Sequence, residues 1–146
     1  MPRVSQAEAK LTRQRIVDAS LKILIQEGVA EMSFAKIAKK AKISRSGINA
    51  HFKRKENIYE ELRPILKDMI LAPLDLSSPD EFLKSWIKNL DENPQYRQML
   101  INTDRVMGGE RAASNLLSIV EGRREEVRDA VYYALGYALV NYPTPI

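Results

Sequence analysis

Ser33-Phe34-Ala35-Lys36-Ile37-Ala38-Lys39-Lys40-Ala41-Lys42-Ile43-Ser44-Arg45-Ser46-Gly47-Ile48-Asn49-Ala50-His51-Phe52 is the stretch on which the reading of this chain turns. It contains two helix starts. A serine just before an apolar-periodic run accepts a hydrogen bond from a free amide of the first helical turn, and Ser33 and Ser44 both stand in that position. After Ser33, Ile37 and Ala38 mark one face of a helix that runs to about Ala41, its alanines suiting a close helix crossing. After Ser44, Ile48 and Phe52 sit four residues apart and face inward together. Arg45, Ser46, Gly47 and Asn49 are then left on the outside. Two short helices joined by a tight turn are expected.

Toward the N-terminus, Ile16, Val17, Ala19, Leu21, Ile23 and Leu24 recur at three- and four-residue intervals, so a helix is expected between Leu11 and Glu27. Gly28 ends it, glycine being the residue that enters the left-handed conformation without a Cβ penalty. Toward the C-terminus, the basic break Lys53-Arg54 is followed by a helix from Lys55, with Ile58, Tyr59, Leu62, Ile65, Leu66, Met69 and Ile70 at helical spacing. Pro64 lies inside this run and predicts a kink near residues 60–63, or a break there. Ser78-Pro79 then announces a helix carrying Phe82, Leu83, Trp86, Ile87 and Leu90. Asn93-Pro94 opens another, through Tyr96, Met99, Leu100 and Val106, which Gly108-Gly109 closes. Residues 110–141 make two helices or one bent helix, interrupted near Gly122. The last part, from Val127 to Tyr142, is apolar on nearly every face and is expected to be buried from several sides. No useful strand alternation, internal repeat or low-complexity segment occurs. The fold class is all-α.

The chain has 146 residues, 45% of them hydrophobic, enough for one core or for a small head on a larger body. No apolar run approaches the roughly 20 residues of a membrane span, and residues 1–10 lack the apolar core of a signal peptide, so no membrane association and a cytoplasmic location are expected. The absence of Cys excludes disulfides, thiolate metal sites and a Cys nucleophile, and a single His argues against a His-based triad or metal cluster. There is also no phosphate-cradling glycine loop, and the expectation is a non-enzyme without cofactor, metal or catalytic residues. The carboxylates Glu125, Glu126 and Asp129 alternate with Arg123, Arg124 and Arg128 as a solvated, salt-bridged face. The net charge of +4 is unevenly divided: residues 1–60 carry +7 and residues 61–146 carry −3. A basic excess confined to one part is the footprint of a polyanion binder, or merely a solvated surface.

Three helices in about 45 residues, the second and third short, with a basic surface, describe a helix-turn-helix. The order of residues also resembles a known family. Arg15-Ile16-Val17 with Ala19 and Gly28, Ser33 with Ile37-Ala38, Ile43-Ser44 with Gly47-Ile48, and His51-Phe52-Lys53-Arg54-Lys55-Glu56 with Ile58 are similar to the DNA-binding domain of the tetracycline-repressor (TetR) family of bacterial regulators. The resemblance covers residues 11–60. It divides the chain into a three-helix DNA-binding head, residues 1–54, and a short helical ligand-binding and dimerisation body, residues 55–146, with the helix over 55–71 as connector. Two positions depart from the family pattern: Asn49 stands where a Tyr is usual, and Lys42 stands where the turn usually has Gly.

Independently of the family, small residues at the start of a helix allow close approach to a duplex, and donors and acceptors on its outer face read base edges. Ser44, Arg45, Ser46, Gly47 and Asn49 supply these. Arg pairs bidentately with guanine and Asn with adenine, so Arg45 and Asn49 are the candidate base readers, the other reading of each being a solvated surface side chain. Lys53 and Lys55 are candidate backbone anchors, Lys55 matching the lysine that the family directs at a phosphate. Ser33 is a plain N-cap, a phosphate donor, or both. His51 is read as a packing or phosphate-side residue.

The resemblance implies a dimeric repressor that binds a palindromic operator in double-stranded DNA and releases it when an effector moves the fourth helix. Trp86, Tyr96, Met99, Met107, Tyr132, Tyr133 and Tyr137 are the candidate lining for a small apolar or aromatic effector, the commoner role of such residues being ordinary core. Ala130, Ala134 and Ala138 beside large tyrosines offer a self-association surface, the other reading being a central buried helix. Only 86 residues follow position 60, fewer than the family commonly has. That shortness favours a second reading: a helix-turn-helix protein without a small-molecule effector, constitutive or controlled by a protein partner.

Overall fold

Helix α1 spans Gln6–Glu27 in the computed structural model, which describes residues 5–143. It starts five residues before the expected Leu11. Ser5 and Glu8 form a reciprocal capping box, the serine hydroxyl accepting from the Glu8 amide and the carboxylate from the Ser5 amide. Gly28, at φ 92°, ends the helix and donates back to the Ile23 and Leu24 carbonyls. A single 3-10 turn, Val29–Glu31, leads to α2 (Phe34–Ala41) and α3 (Arg45–His51), with Ser33 and Ser44 as N-caps. Helix α4 spans Lys55–Leu71, α5 Pro79–Glu92, α6 Pro94–Met107, α7 Gly109–Ile119 and α8 Arg124–Asn141. No strand occurs among the described residues, and the fold is all-α.

Pro64 does not break α4, which continues to Leu71. The proline is on an exposed face, while Leu62 and Leu66, one turn apart across it, are fully buried. Burying two leucines gives about 3–6 kcal/mol, enough to offset the roughly 3 kcal/mol that an interior proline costs.

The chain forms two compact units that divide between Ile65 and Leu66, inside α4. In the first, α1 contributes Ile16, Val17, Ile23 and Leu24 to a core completed by Met32, Ile37, Ile48, Phe52, Ile58 and Leu62. In the second, Phe82, Trp86 and Leu90 of α5 pack on Val127, Val131 and Ala134 of α8, with Tyr96, Met99 and Val106 of α6 and Leu116 of α7. The Trp86 indole N–H donates to the Ala134 carbonyl at 2.8 Å, which fixes the register of α5 on α8. Gly122, at φ 138°, allows the α7–α8 turn to pass against Pro79, where a Cβ would lie 2.8 Å from the ring.

Helix α8 corrects the expectation of burial from several sides. Val127, Ala130, Val131 and Ala134 are buried, but Tyr132, Tyr133, Leu139 and Val140 are 63, 58, 70 and 78% exposed. At 100° per residue the buried stripe occupies one side of the helix, and the other large apolar residues fall outside it.

Candidate nucleic-acid interface and ligand cavity

The helix-turn-helix is held by its caps. Ser33 Oγ accepts from the Lys36 amide at 3.1 Å and Ser44 Oγ from the Gly47 amide at 3.0 Å. A Cβ on Gly47 would stand 3.2 Å from that hydroxyl, so glycine leaves room for the cap. The turn is made by Lys42, in the left-handed conformation at φ 58° and ψ 47°, with the Ile43 amide returning to the Ala38 carbonyl at 3.1 Å. Ile48 and Phe52 are buried. Arg45, Ser46 and Asn49 are exposed, Gly47 and His51 half-buried.

Ser33, Arg45, Lys53 and Lys55 come together around an open cleft of about 410 Å³, joined by Phe34, Ala35 and Arg54. Four cationic residues thus surround the first turn of α2, where unpaired backbone amides themselves favour an anion. Ser44, Ser46, Gly47, Asn49 and His51 lie outside this lining, along α3. The Asn57 side chain accepts from the Arg54 amide at 3.1 Å and fixes the start of α4 beside the cleft. Lys36, although one turn away on α2, is committed elsewhere: its ammonium binds Glu27 at 2.6 Å and Glu31 at 3.0 Å. The hydrogen bond to Glu27, then that to Glu31, hold its pKa above the ordinary lysine value. Arg54 is the residue that sequence reasoning left out of the site. Its place between two expected anchors was the available signal.

The second unit holds a half-open cavity of about 310 Å³. Its wall is apolar, including Ile70 and Leu71 of α4, Leu100 and Ile101 of α6 and Leu135 of α8, with Lys67, Arg97, Asp104 and Asn115 as the charged and amide groups. Of the seven expected lining residues, Trp86 and Met107 line it, and five do not. Tyr96 and Met99 are core: the Tyr96 hydroxyl donates to the Ile70 carbonyl at 2.7 Å, and burial pushes this phenol's pKa up. Tyr132 and Tyr133 point to solvent. Tyr137 donates to both oxygens of Asp91, at 2.7 and 2.9 Å. The aliphatic residues beside these α8 tyrosines, Leu135 and Ala138, are the ones that the turn of the helix brings to the wall.

One end of the wall is tied by polar contacts. The Tyr142 hydroxyl donates to Asp91 at 2.6 Å, and the Arg97 guanidinium lies 4.9 Å from the centre of the Tyr142 ring while donating to the Leu90 carbonyl at 2.7 Å. The hydrogen bonds from Tyr142 and Tyr137 hold the Asp91 carboxyl below the usual carboxylate range, and the bond to Asp91 pushes Tyr137 up to about 12.

Residues 16–62 match the family model described as "Bacterial regulatory proteins, tetR family". The chain is 40% identical over 88 residues to the uncharacterized HTH-type transcriptional regulator TtgW of Pseudomonas putida, which is 59% of this chain and 63% of that protein. It is 40% identical over 62 residues to the HTH-type transcriptional regulator AcrR of Shigella flexneri, 42% of this chain and 29% of that protein. The chain therefore spans less than two thirds of the length of these relatives. Across 99% of its length it superposes on 89% of the crystal structure of the multidrug binding protein EbrR complexed with imidazole, with a TM-score of 0.66 at 19% identity, a likeness of fold. Residues 16–62, which hold the capped helix-turn-helix, therefore carry a domain of the tetR family of bacterial regulatory proteins.

Proposed function

We propose that the chain is a sequence-specific DNA-binding transcriptional regulator, a dimeric repressor released from its operator by a small apolar or aromatic molecule. The observation that carries this reading is the cleft in which Arg45, Lys53, Arg54 and Lys55 meet the N-terminus of α2, beside the exposed polar face of α3. Lys53, Arg54 and Lys55 hold phosphates there, and Ser33 adds a hydroxyl that can donate while its oxygen caps α2. Arg45 and Asn49, one turn apart on α3, read base edges, with Ser44, Ser46 and Gly47 allowing close approach. His51 packs and closes α3. None of this chemistry needs a metal, a cofactor or an enzymatic step. The protein acts in the cytoplasm, where bacterial DNA is, and no helix among the described residues is long and apolar enough to cross a membrane.

The apolar cavity favours the effector-responsive reading over a constitutive protein. About 310 Å³ of space lined by aliphatic side chains suits a ligand at the small end of the range for such pockets. Helix α4 is the connector: Lys67, Ile70 and Leu71 line the cavity, and the same helix begins with Lys55 at the cleft. Dimerisation through the exposed face of α8 places two recognition helices on half-sites of one palindrome.

The test is selection of bound fragments from genomic DNA, followed by titration of the selected site at several salt concentrations. A palindromic site is expected, bound on the order of 10³-fold or more tighter than random duplex. A steep salt slope with no sequence preference would leave only a basic surface and refute the reading.

A further inference from the structure

Arg13 and Arg15 stand two residues apart on α1, outside its apolar stripe, yet both reach the helix-turn-helix. Arg15 Nη2 donates to the carbonyls of Ala41 at 2.5 Å and Lys42 at 3.2 Å, where α2 ends. Arg13 Nη1 donates to the His51 carbonyl at 3.2 Å, at the last residue of α3. The final carbonyls of a helix lack intrahelical partners and carry its partial negative charge, so a guanidinium satisfies both needs. Arg13 goes further than Arg15. Its guanidinium carbon lies 4.2 Å from the centre of the Phe52 ring, and its Nη2 pairs with the Glu61 carboxylate of α4. One planar fork thus joins α1, the end of α3 and the second turn of α4, which a lysine point charge cannot reproduce.

We propose that Arg13 is a positioning residue that makes the orientation of recognition helix α3 follow that of α4. The proposal rests on the reading of the head as a DNA reader and adds how that reader is aimed. Phe52 and Ile48 anchor α3 by apolar burial, which is non-directional, whereas the three Arg13 contacts specify where the end of α3 lies relative to α4. Arg13 is not part of the basic cleft, so its guanidinium has no part in holding phosphate there. Displacing α4 moves Glu61, and through Arg13 it moves the end of α3.

The experiment compares the full chain with Arg13→Met, Arg13→Lys and Glu61→Gln, measuring affinity for the selected operator and for random duplex of equal length across a salt series, with a thermal melt of each preparation. Arg13→Met is expected to lower the operator-to-random ratio about tenfold while leaving random-duplex affinity and the salt slope unchanged. Arg13→Lys keeps the charge but not the fork and is expected to resemble Arg13→Met. Glu61→Gln keeps the volume and two of the three Arg13 contacts, and is expected to lower the ratio about threefold without a change in melting point large enough to unfold the head. An unchanged ratio in Glu61→Gln and Arg13→Lys overturns the proposal. So does an equal loss on operator and random DNA with a lower salt slope, which would make Arg13 a phosphate contact. A wild-type chain with no operator preference refutes the DNA-reading function itself, and the proposal with it.

Discussion

Lys42 occupies a backbone conformation, φ 58° and ψ 47°, that is costly for any residue with a Cβ. Its side chain is exposed, and what the turn uses is the amide, which donates to the Ala38 and Lys39 carbonyls. Glycine makes the same bonds without the steric cost, losing part of the gain to its greater unfolded-state freedom. Lys42→Gly is therefore expected to leave the melting temperature unchanged or raise it by up to about 4 °C, on the order of 1 kcal/mol. A clear fall in a thermal melt would show that the side chain contributes something the turn geometry does not. The proposed function assigns two different roles to basic residues of the cleft. Arg45→Ala is expected to relax preference at one position of each half-site, costing about 1–3 kcal/mol on the operator, whereas Lys55→Ala weakens all duplexes alike and lowers the salt slope by about one. Equal losses on operator and random DNA for both variants would overturn this division of roles.

Between elements, the tie from α5 to the end of α8 is polar and exposed, unlike the Trp86 contact one turn earlier on α5. Tyr137 and Tyr142 both donate to Asp91, so the fold favours an ionised Asp91 and neutral phenols. The Asp91 pKa lies below its ordinary 3.8, so its contribution is present above that value and is lost as pH falls through the lower, folded value. The phenol works in the opposite sense. With Tyr137 raised from 10.0 to about 12, its contribution is complete below pH 10 and is lost as pH rises toward 12. Asp91→Asn is expected to reduce both the acid loss and the alkaline loss of stability, lowering denaturant midpoints most between about pH 6 and 9, where the contribution is complete. Midpoints measured across pH check this, and an alkaline limb identical to that of the wild type would show that the tyrosines do not sense Asp91.

At the scale of the whole molecule, α8 has one face that completes the core of its unit and another that carries Tyr132, Tyr133, Leu139 and Val140 into solvent. The stacked pair Tyr133 and Tyr137, 6.4 Å between ring centres, extends that second face. If this face joins two chains, Tyr132→Glu with Val140→Glu is expected to convert dimer to monomer in sedimentation and to weaken operator binding at least about tenfold, since linked half-site binding is lost. The helical melt of the monomer should remain, because neither residue belongs to the core. A double variant that still sediments as a dimer would place the contact elsewhere.

Signals that act over three or four residues were legible in the amino-acid order alone. Ser33, Ser44, Ser78 and Asn93 open helices where their caps predict, and Gly28 and Gly108 close them, because a cap is decided by near neighbours in the chain. The head was legible for the same reason, its motif residues lying within one short stretch. Ser5 and Glu8 carried a signal as plain, but it lay upstream of the apolar periodicity. Tertiary structure decided the rest. It kept α4 whole across Pro64, turned Tyr132 and Tyr133 of α8 away from the cavity and committed Lys36 to Glu27 and Glu31. It also brought Arg13 to His51 and Glu61, 38 and 48 residues away in sequence. Periodicity shows that a helix has an apolar face. Which neighbour covers that face, and which polar ends meet across the core, depends on packing that no single helix encodes.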